Sequence, residues 1–197
     1  GSALRITDSD GQSFIDNNQI THHDGYQDGG GIFVYNSIGL QITGNIISHN
    51  AVSNQGGSIY VQNGNVSIVN NTITSNSSNY GSAVYIDISG NVEIQENIIT
   101  NNTGEYAIWG APGVLTQNNI FFNFYEGESL NLRYTESSSI DYDYNFWGTR
   151  SDQGDIDPSI YDDNESGGQM GMVNYQPILT GPSPLTPGQL SVIDSVL

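Results

Sequence analysis

The sequence predicts an all-β fold: a right-handed parallel β-helix, or solenoid, of about six coils with an irregular C-terminal cap. A segment of roughly 25 residues recurs along the chain. Within each copy, apolar and polar residues alternate over short stretches, and glycine-rich runs separate these stretches. One coil is too small to close a core, but stacked coils bury continuous columns of side chains.

The repeat is clearest at a recurring asparagine. Six segments, from "SFIDNNQITHH" to "IDYDYNFWG", align with one asparagine of each in register, at spacings of 27, 26, 26, 22 and 26 residues. An asparagine at the same bend of every coil can bond the side chain and backbone of the next coil. We therefore predict an inward structural ladder. Its members are Asn18, Asn45, Asn71, Asn97, Asn119 and Asn145.

Apolar residues at fixed positions around this asparagine predict the buried face of each strand. Three residues before it are Ile15, Ile42, Ile68, Ile94, Thr116 and Tyr142. Two residues after it are Ile20, Ile47, Ile73, Ile99, Phe121 and Trp147. A second apolar column, which includes Ile32-x-Val34 and Ile59-x-Val61, follows the glycine runs. We therefore expect two or three short strands in each coil.

Length and composition fit one domain followed by a tail. We assign residues 1–150 to the coils of the β-helix, residues 151–180 to a C-terminal cap segment and residues 181–197 to a linker and tail. The cap is expected to cover the last coil, because an open coil leaves strand edges unpaired. The repeat begins without a capping helix ahead of it, so we expect the chain to be part of a longer multidomain protein.

The chain is strongly acidic, with 21 acidic residues, a formal net charge of −18 and only 3 basic residues, Arg5, Arg133 and Arg150. Such a surface repels phosphate backbones and anionic lipid, which disfavours nucleic acid as a partner. It attracts divalent cations. No apolar run is long enough to span a bilayer, so we expect no membrane insertion. The chain has no Cys, which excludes disulfides.

Two motifs resemble known proteins. The Asn-x-Ile-x-x-Asn repeat, with Gly-Gly ahead of the next strand, resembles the right-handed parallel β-helix repeat proteins of bacterial and archaeal cell surfaces, in the pectate-lyase-like superfamily, and the adhesins among them. Residues 145–182 are similar to the segment that ends many secreted β-helices, N-x-W-G … G-x-V-x-Y-x-P-x-L. The resemblance covers about residues 12–182 and implies an extracellular or cell-surface protein. Such repeats serve lyases, hydrolases, adhesins and stalks alike.

Aromatic residues occupy the outward position between the apolar pairs of the second column. They are Phe33, Tyr60, Tyr85 and Trp109, with Asn131 expected at the same position of the next coil. Alternation along a strand places these rings on one outer face. An aromatic strip among Asn and Asp suits a polysaccharide or cell-surface glycan, so we predict it as the ligand-binding site. The alternative is that the rings only stack on one another or lie beneath the C-terminal tail.

Acidic residues near the end of the helix predict a cation site. Asp155, Asp157, Asp162 and Asp163 lie in the cap segment, where carboxylate oxygens can coordinate Ca²⁺. The alternative is that these carboxylates are solvated surface charges. No complete EF-hand loop is present, and calcium is the one cofactor that the sequence suggests.

One group of residues is a candidate catalytic site. The resemblance to β-helix lyases implies a basic residue on an outward strand, and Arg133 is the candidate base, with Asp141 and Asp143 nearby in sequence. The alternative is that Arg133 only offsets neighbouring acids. His22 and His23 suggest metal or acid–base chemistry, but His23 occupies an asparagine position of the repeat, which favours a structural role.

These observations favour a secreted or surface-displayed β-helix module with a binding, adhesive or spacer role, directed at carbohydrate and non-catalytic. The alternative is a polysaccharide-active enzyme, a lyase or glycoside hydrolase, that uses Ca²⁺. The two differ in whether one outer face combines a basic residue, paired acids and a groove.

Overall fold

The computed structural model describes residues 1–87, 91–148 and 156–187. The described chain winds through short strands and tight bends from its first residues to the cap. Arg150 and residues 188–197 of the predicted linker and tail lie outside the described residues.

The secondary structure is almost entirely β. The strands are β1 (Leu4–Thr7), β2 (Ser13–Asp16), β3 (Gln19–Thr21), β4 (Asp24–Gly25), β5 (Ile32–Tyr35), β6 (Ile38–Thr43), β7 (Ile46–Ser48), β8 (Ala51–Val52), β9 (Ile59–Gln62), β10 (Asn65–Val69), β11 (Thr72–Thr74), β12 (Ser77–Tyr80), β13 (Val84–Asp87), β14 (Val92–Gln95), β15 (Ile98–Thr100), β16 (Thr103–Glu105), β17 (Ile108–Trp109), β18 (Val114–Thr116), β19 (Asn119–Phe121), β20 (Phe124–Tyr125), β21 (Glu128–Ser129), β22 (Leu132–Arg133), β23 (Ile140–Asp141), β24 (Ile160–Tyr161) and β25 (Val173–Asn174). A 3₁₀ helix spans Asp157–Ser159 and a short α-helix, α1, spans Asp163–Ser166. Within the described residues, no helix has the length and apolarity needed to cross a membrane.

The strands stack into four long sheets and one small one. Sheet A has the order β1-β5-β9-β13-β17-β22-β24, sheet B β2-β6-β10-β14-β18, sheet C β3-β7-β11-β15-β19 and sheet D β4-β8-β12-β16-β20-β21, while β23 pairs with β25. In the regular part the chain passes through sheets A, B, C and D in turn within each coil. This parallel β-solenoid of about six turns confirms the predicted fold class. A regular coil has four strands rather than two or three, and its right-handed sense stays a prediction.

The bends on both sides of sheet C depend on the left-handed backbone conformation. The residue before five of the six predicted ladder asparagines has a positive φ, as at Asn17 (53°) and Asn70 (58°), and Asn119 is the exception. The same conformation recurs at the next bend, as at His49 (56°) and Ser75 (56°). Side chains rarely adopt this region, and asparagine does so at comparatively low cost. Part of the asparagine content of the chain therefore follows from the shape of the coil.

The core consists of parallel columns of apolar side chains inside the solenoid. Sheet B buries Ile15, Ile42, Ile68, Ile94 and Leu115, and sheet C buries Ile20, Ile47, Ile73, Ile99 and Ile120. Leu115 pairs in register with Ile94, so the inward position predicted for Thr116 is wrong by one residue. Likewise Ile120 continues the column of sheet C, and the prediction for Phe121 is wrong.

The two ends of the solenoid differ. At the C-terminal end, β24 extends sheet A beyond β22, and the antiparallel hairpin β20–β21 closes sheet D. The segment around Ser183 and Thr186 hydrogen-bonds to Asn119 on the outer side of sheet C. At the N-terminal end, β1, β2, β3 and β4 are the last strands of their sheets among the described residues.

Candidate functional site

The first asparagine ladder runs through the bend between sheets B and C. Oδ1 of Asn97 accepts hydrogen bonds from the main-chain N–H and from Nδ2 of Asn71, at 2.8 and 3.1 Å. Nδ2 of Asn71 also donates to the main-chain oxygens of Ile42 and Val69. Asn71 is fully buried, and each polar atom of its side chain has a partner inside the protein. The ladder joins Asn18, Asn45, Asn71, Asn97, Asn118 and Asn145.

Asn118, not the predicted Asn119, is the ladder residue of the fifth coil. The main-chain N–H and Nδ2 of Asn97 donate to Oδ1 of Asn118 at 2.9 and 3.0 Å. Asn119 begins β19, and its side chain lies outside sheet C, where it bonds the N–H of Ser183 and the hydroxyl of Thr186, each at 2.7 Å. Two adjacent asparagines allow two alignments, and a shift of one residue exchanges the inner and outer faces.

A second asparagine ladder, which was not predicted, follows sheet C. It joins Asn50, Asn76, Asn102 and Asn123 and continues to Asn131. The signal that could have identified it is a second asparagine five residues after the first in four copies of the repeat. His23 occupies the corresponding position of the first coil, where its main-chain N–H donates to Oδ1 of Asn50. His22 and His49 stack beside this ladder with ring centroids 4.9 Å apart.

The four predicted binding residues form one column, the ring column, on sheet A. Strand register places Phe33 next to Tyr60, Tyr60 next to Tyr85, and Tyr85 next to Trp109. The centroids of successive rings are 5.1, 5.4 and 6.0 Å apart, with interplanar angles of 8°, 1° and 18°. The next position of the column is Arg133, so the prediction of Asn131 there is wrong.

The faces of these rings are covered by neighbouring rings, and this stacking is the alternative that the sequence left open. Coils repeat at about 4.8 Å, close to the distance at which rings stack, so each ring lies on the next and only ring edges face outward. Arg5 lies over Phe33 at 4.2 Å and Arg133 over Trp109 at 4.4 Å, which covers both ends of the column. Phe33 and Tyr60 are 8% and 4% exposed, whereas Tyr85 and Trp109 are half-buried.

Polar groups line the edge of the ring column. The Tyr60 hydroxyl donates to Oδ2 of Asp87 at 2.8 Å, and Nε2 of Gln62 donates to the same oxygen at 2.9 Å. Nε2 of Gln55 donates to the Tyr85 hydroxyl at 3.0 Å. Burial raises the pKa of the Tyr60 phenol well above its usual value, and the hydrogen bond to Asp87 raises that pKa further. The outer face of sheet A therefore alternates apolar ring edges with hydroxyl, amide and carboxylate groups.

Arg133 lies between two aromatic rings at the end of the ring column. Its Cζ atom is 4.4 Å from the centroid of Trp109 and 4.2 Å from that of Tyr161. Tyr106 packs edge-on against both rings, at 6.1 and 6.2 Å. Nε of Arg133 is buried and has no hydrogen-bond partner among the residues that the structure describes. Among the described residues, no carboxylate lies within ion-pair distance of this guanidinium group.

The structure does not bring Arg133 into contact with the two acids of the predicted lyase constellation. Asp141 is on β23, where Oδ1 accepts a hydrogen bond from Nδ2 of Asn174 at 3.0 Å. Asp143 follows β23, and its main-chain oxygen accepts the hydroxyl of Thr116. Arg133 is on β22 in sheet A, a different sheet. A basic residue and paired acids thus lie at separate places on this end of the molecule.

The cap acids within the described residues have structural partners. Oδ1 of Asp162 accepts the N–H of Asn164 and Oδ2 accepts the N–H of Val173, at 2.9 and 2.7 Å. Oε2 of Glu165 accepts the N–H of Asp162, which completes a capping box at the start of α1. Oδ1 of Asp157 accepts the hydroxyl of Tyr175 at 3.1 Å. Burial raises the pKa of Glu165.

The described residues do not include a group of three or more His, Asp or Glu side chains able to hold a metal ion. Asp155 and the side chain of Asp163 lie outside the described part of the chain. Calcium binding by the cap therefore stays a prediction that involves these two residues together with Asp157 and Asp162.

No family model matches this chain, and neither a curated protein nor a solved structure matches it.

Proposed function

We propose that this chain is a secreted or surface-displayed β-helix module that binds carbohydrate through the outer face of sheet A and does not catalyse a reaction. The observation that carries this proposal is the edge of the ring column, where half-buried Tyr85 and Trp109 lie beside the hydrogen-bonding groups of Gln55, Gln62 and Asp87. Sugars present C–H groups and hydroxyls together, so an edge that alternates apolar and polar atoms suits them.

The proposed manner of binding follows from the stacking of the rings on one another. Because the ring faces are covered, a glycan would contact ring edges, and hydrogen bonds would provide most of its orientation. Tyrosine suits this arrangement, since its ring is fixed in the column while its hydroxyl reaches the surface. The strand pairing of sheet A and the stacking of the rings on one another hold these groups in place, which limits the entropy lost on binding.

A glycan array, screened with calcium and with EDTA and followed by product analysis of each hit, tests the proposal. Tyr85→Phe keeps the ring and removes the hydroxyl, so we expect a several-fold loss of affinity, as for one neutral hydrogen bond of about 1 kcal/mol. Trp109→Phe should also weaken binding. Phe14→Ala is the matched control, because Phe14 is 62% exposed on sheet B.

Two results would contradict the proposal. If no glycan binds, or if Phe14→Ala reduces binding as much as the two substitutions on sheet A, the ring column is not the site. If wild type instead releases unsaturated sugar products and Arg133→Ala abolishes this release, the chain is a lyase and Arg133 is its base.

A further inference from the structure

The three histidines of this chain lie together at the bend between sheets C and D, in the first two coils. From the sequence, the neighbours His22 and His23 suggest metal chemistry, but the structure pairs His22 with His49 of the next coil instead. The two imidazole rings are parallel, with centroids 4.9 Å apart and an interplanar angle of 2°. Both side chains are exposed. Imidazole is the commonest metal ligand in proteins, so two adjacent exposed rings provide a pair of ligands for one ion.

The backbone holds these two histidines side by side. Thr21 pairs in register with Ser48 directly before the bend, and Asp24 pairs with Ala51 directly after it. At the bend itself, the main-chain N–H of His22 donates to the main-chain oxygen of Ser48 at 3.3 Å. Neighbouring coils are about 4.8 Å apart. The spacing of the two rings therefore follows from the register of the solenoid.

We propose that His22 and His49 together bind one divalent transition-metal ion, with Cu²⁺ bound more tightly than Zn²⁺ or Ni²⁺. Imidazole nitrogen suits these ions, and the Irving–Williams order ranks Cu²⁺ first among them. Metal–nitrogen bonds of about 2.0–2.1 Å bring the two nitrogens closer together than the stacked rings stand. The rings therefore tilt towards each other on binding, which their exposure permits. Water or a group of another molecule fills the remaining coordination positions.

The acidity of the chain supports a cation site without deciding which ion occupies it. A net charge of −18 raises the local concentration of divalent cations around the protein. Ca²⁺ and Mg²⁺ prefer oxygen ligands and are bound by carboxylates, so neither competes effectively for an imidazole pair. The ring column lies on sheet A, so this inference does not depend on the proposed carbohydrate binding.

Asparagine is the replacement that preserves the bend. His22 and His49 have positive φ values of 61° and 56°, and Asn101 has a φ of 56° at the corresponding position of a later coil. Because asparagine adopts this conformation at low cost, His22→Asn and His49→Asn should fold like wild type. His23→Asn is the matched control, since it removes the third imidazole and places an asparagine at a ladder position.

The experiment titrates the protein with Cu²⁺ or Zn²⁺ in a large excess of Mg²⁺, which occupies the surface carboxylates. Calorimetry should give one ion per chain, and the electron paramagnetic resonance spectrum of the Cu²⁺ form should show coupling to two imidazole nitrogens. Zn²⁺ should shift the NMR signals of the His22 and His49 rings and leave those of His23 in place. Saturating Zn²⁺ should also raise the thermal midpoint, because the ion joins two coils only in the folded protein.

Loss of either ligand should weaken binding strongly. Once one histidine holds the ion, the second binds it intramolecularly, so we expect His22→Asn and His49→Asn each to lower the affinity by about tenfold or more. His23→Asn should bind like wild type, and its thermal midpoint should rise with Zn²⁺ by the same amount.

Three results would overturn this inference. Binding that neither His22→Asn nor His49→Asn weakens would show that surface carboxylates hold the ion. An equal loss in His23→Asn and His22→Asn, with none in His49→Asn, would place the ion on the two histidines of the first coil. One ion per two chains would mean that single histidines of different molecules share the metal.

Discussion

Oδ1 of Asn97 accepts two hydrogen bonds from Asn71 of the preceding coil, one from the main-chain N–H at 2.8 Å and one from Nδ2 at 3.1 Å. Each rung of the ladder thus joins two coils through both backbone and side chain. Because both residues are fully buried, water cannot replace a lost partner.

Asn71→Ala is expected to lower the free energy of unfolding by about 1–3 kcal/mol, because it leaves buried polar groups of the neighbouring coils without partners. Ser67→Ala is the control, since Ser67 points outward and makes only a 3.5 Å contact to Glu93. Urea denaturation measures both variants. Equal and small losses would show that the ladder does not stabilise the fold.

Asn118 and Asn119 are adjacent and both buried, yet their substitutions should have different effects. Asn118→Ala removes a ladder rung and should cost about 1–3 kcal/mol of global stability. Asn119→Ala removes the bonds to Ser183 and Thr186 and should mainly release the segment that carries them. Limited proteolysis combined with denaturant unfolding distinguishes these effects. Faster cleavage near Ser183 in the Asn118 variant alone would contradict the assignment.

Asp162→Ala should destabilise the protein equally in EDTA and in saturating calcium. The carboxylate of Asp162 is 1% exposed and accepts main-chain N–H groups of Asn164 and Val173, and charged hydrogen bonds of this kind contribute about 1.5–3 kcal/mol each. Calorimetry gives the thermal midpoint under both conditions. If calcium raises the midpoint of wild type and Asp162→Ala removes that rise, Asp162 is a calcium ligand, as the sequence suggested.

Buried tyrosines should make the protein sensitive to alkaline pH. Burial raises the pKa of Tyr106 to about 12. In the unfolded chain a tyrosine ionises near pH 10. The neutral phenol therefore contributes its full share to the free energy of unfolding below about pH 10. This contribution is lost as the pH rises through the pKa of Tyr106 in the folded protein.

Tyr106→Phe should consequently leave stability near neutral pH almost unchanged and reduce its fall above about pH 10. Tyr26→Phe is the control, because Tyr26 is 92% exposed. Unfolding free energies between neutral and alkaline pH, with phenolate absorbance followed in parallel, provide the measurement. Parallel curves for wild type and Tyr106→Phe would show that ionisation of this residue is not linked to unfolding.

The parallel solenoid could be predicted from the sequence, because the residues that form each coil lie close together in the chain and recur in every copy of the repeat. Ile42, Ile68 and Ile94 recur in register with an asparagine, and a stack of coils is the arrangement in which such a repeat buries one continuous core. The repeat also placed four aromatic residues on a single face. At Asn118 and Asn119 the repeat allows two alignments, and the predicted ladder residue was wrong by one position.

The groups that the aromatic face presents to a ligand could not be predicted from the sequence. The alternation of side chains along a strand predicts that Tyr60 and Tyr85 point outward. Whether their ring faces or their ring edges meet solvent depends on the side-chain torsion angles, which are set by packing against the neighbouring coils. The coil spacing brings the rings into stacking contact and covers their faces. The position of Arg133 between Trp109 and Tyr161 likewise depends on residues far apart in sequence, since Tyr161 reaches sheet A only through the irregular cap.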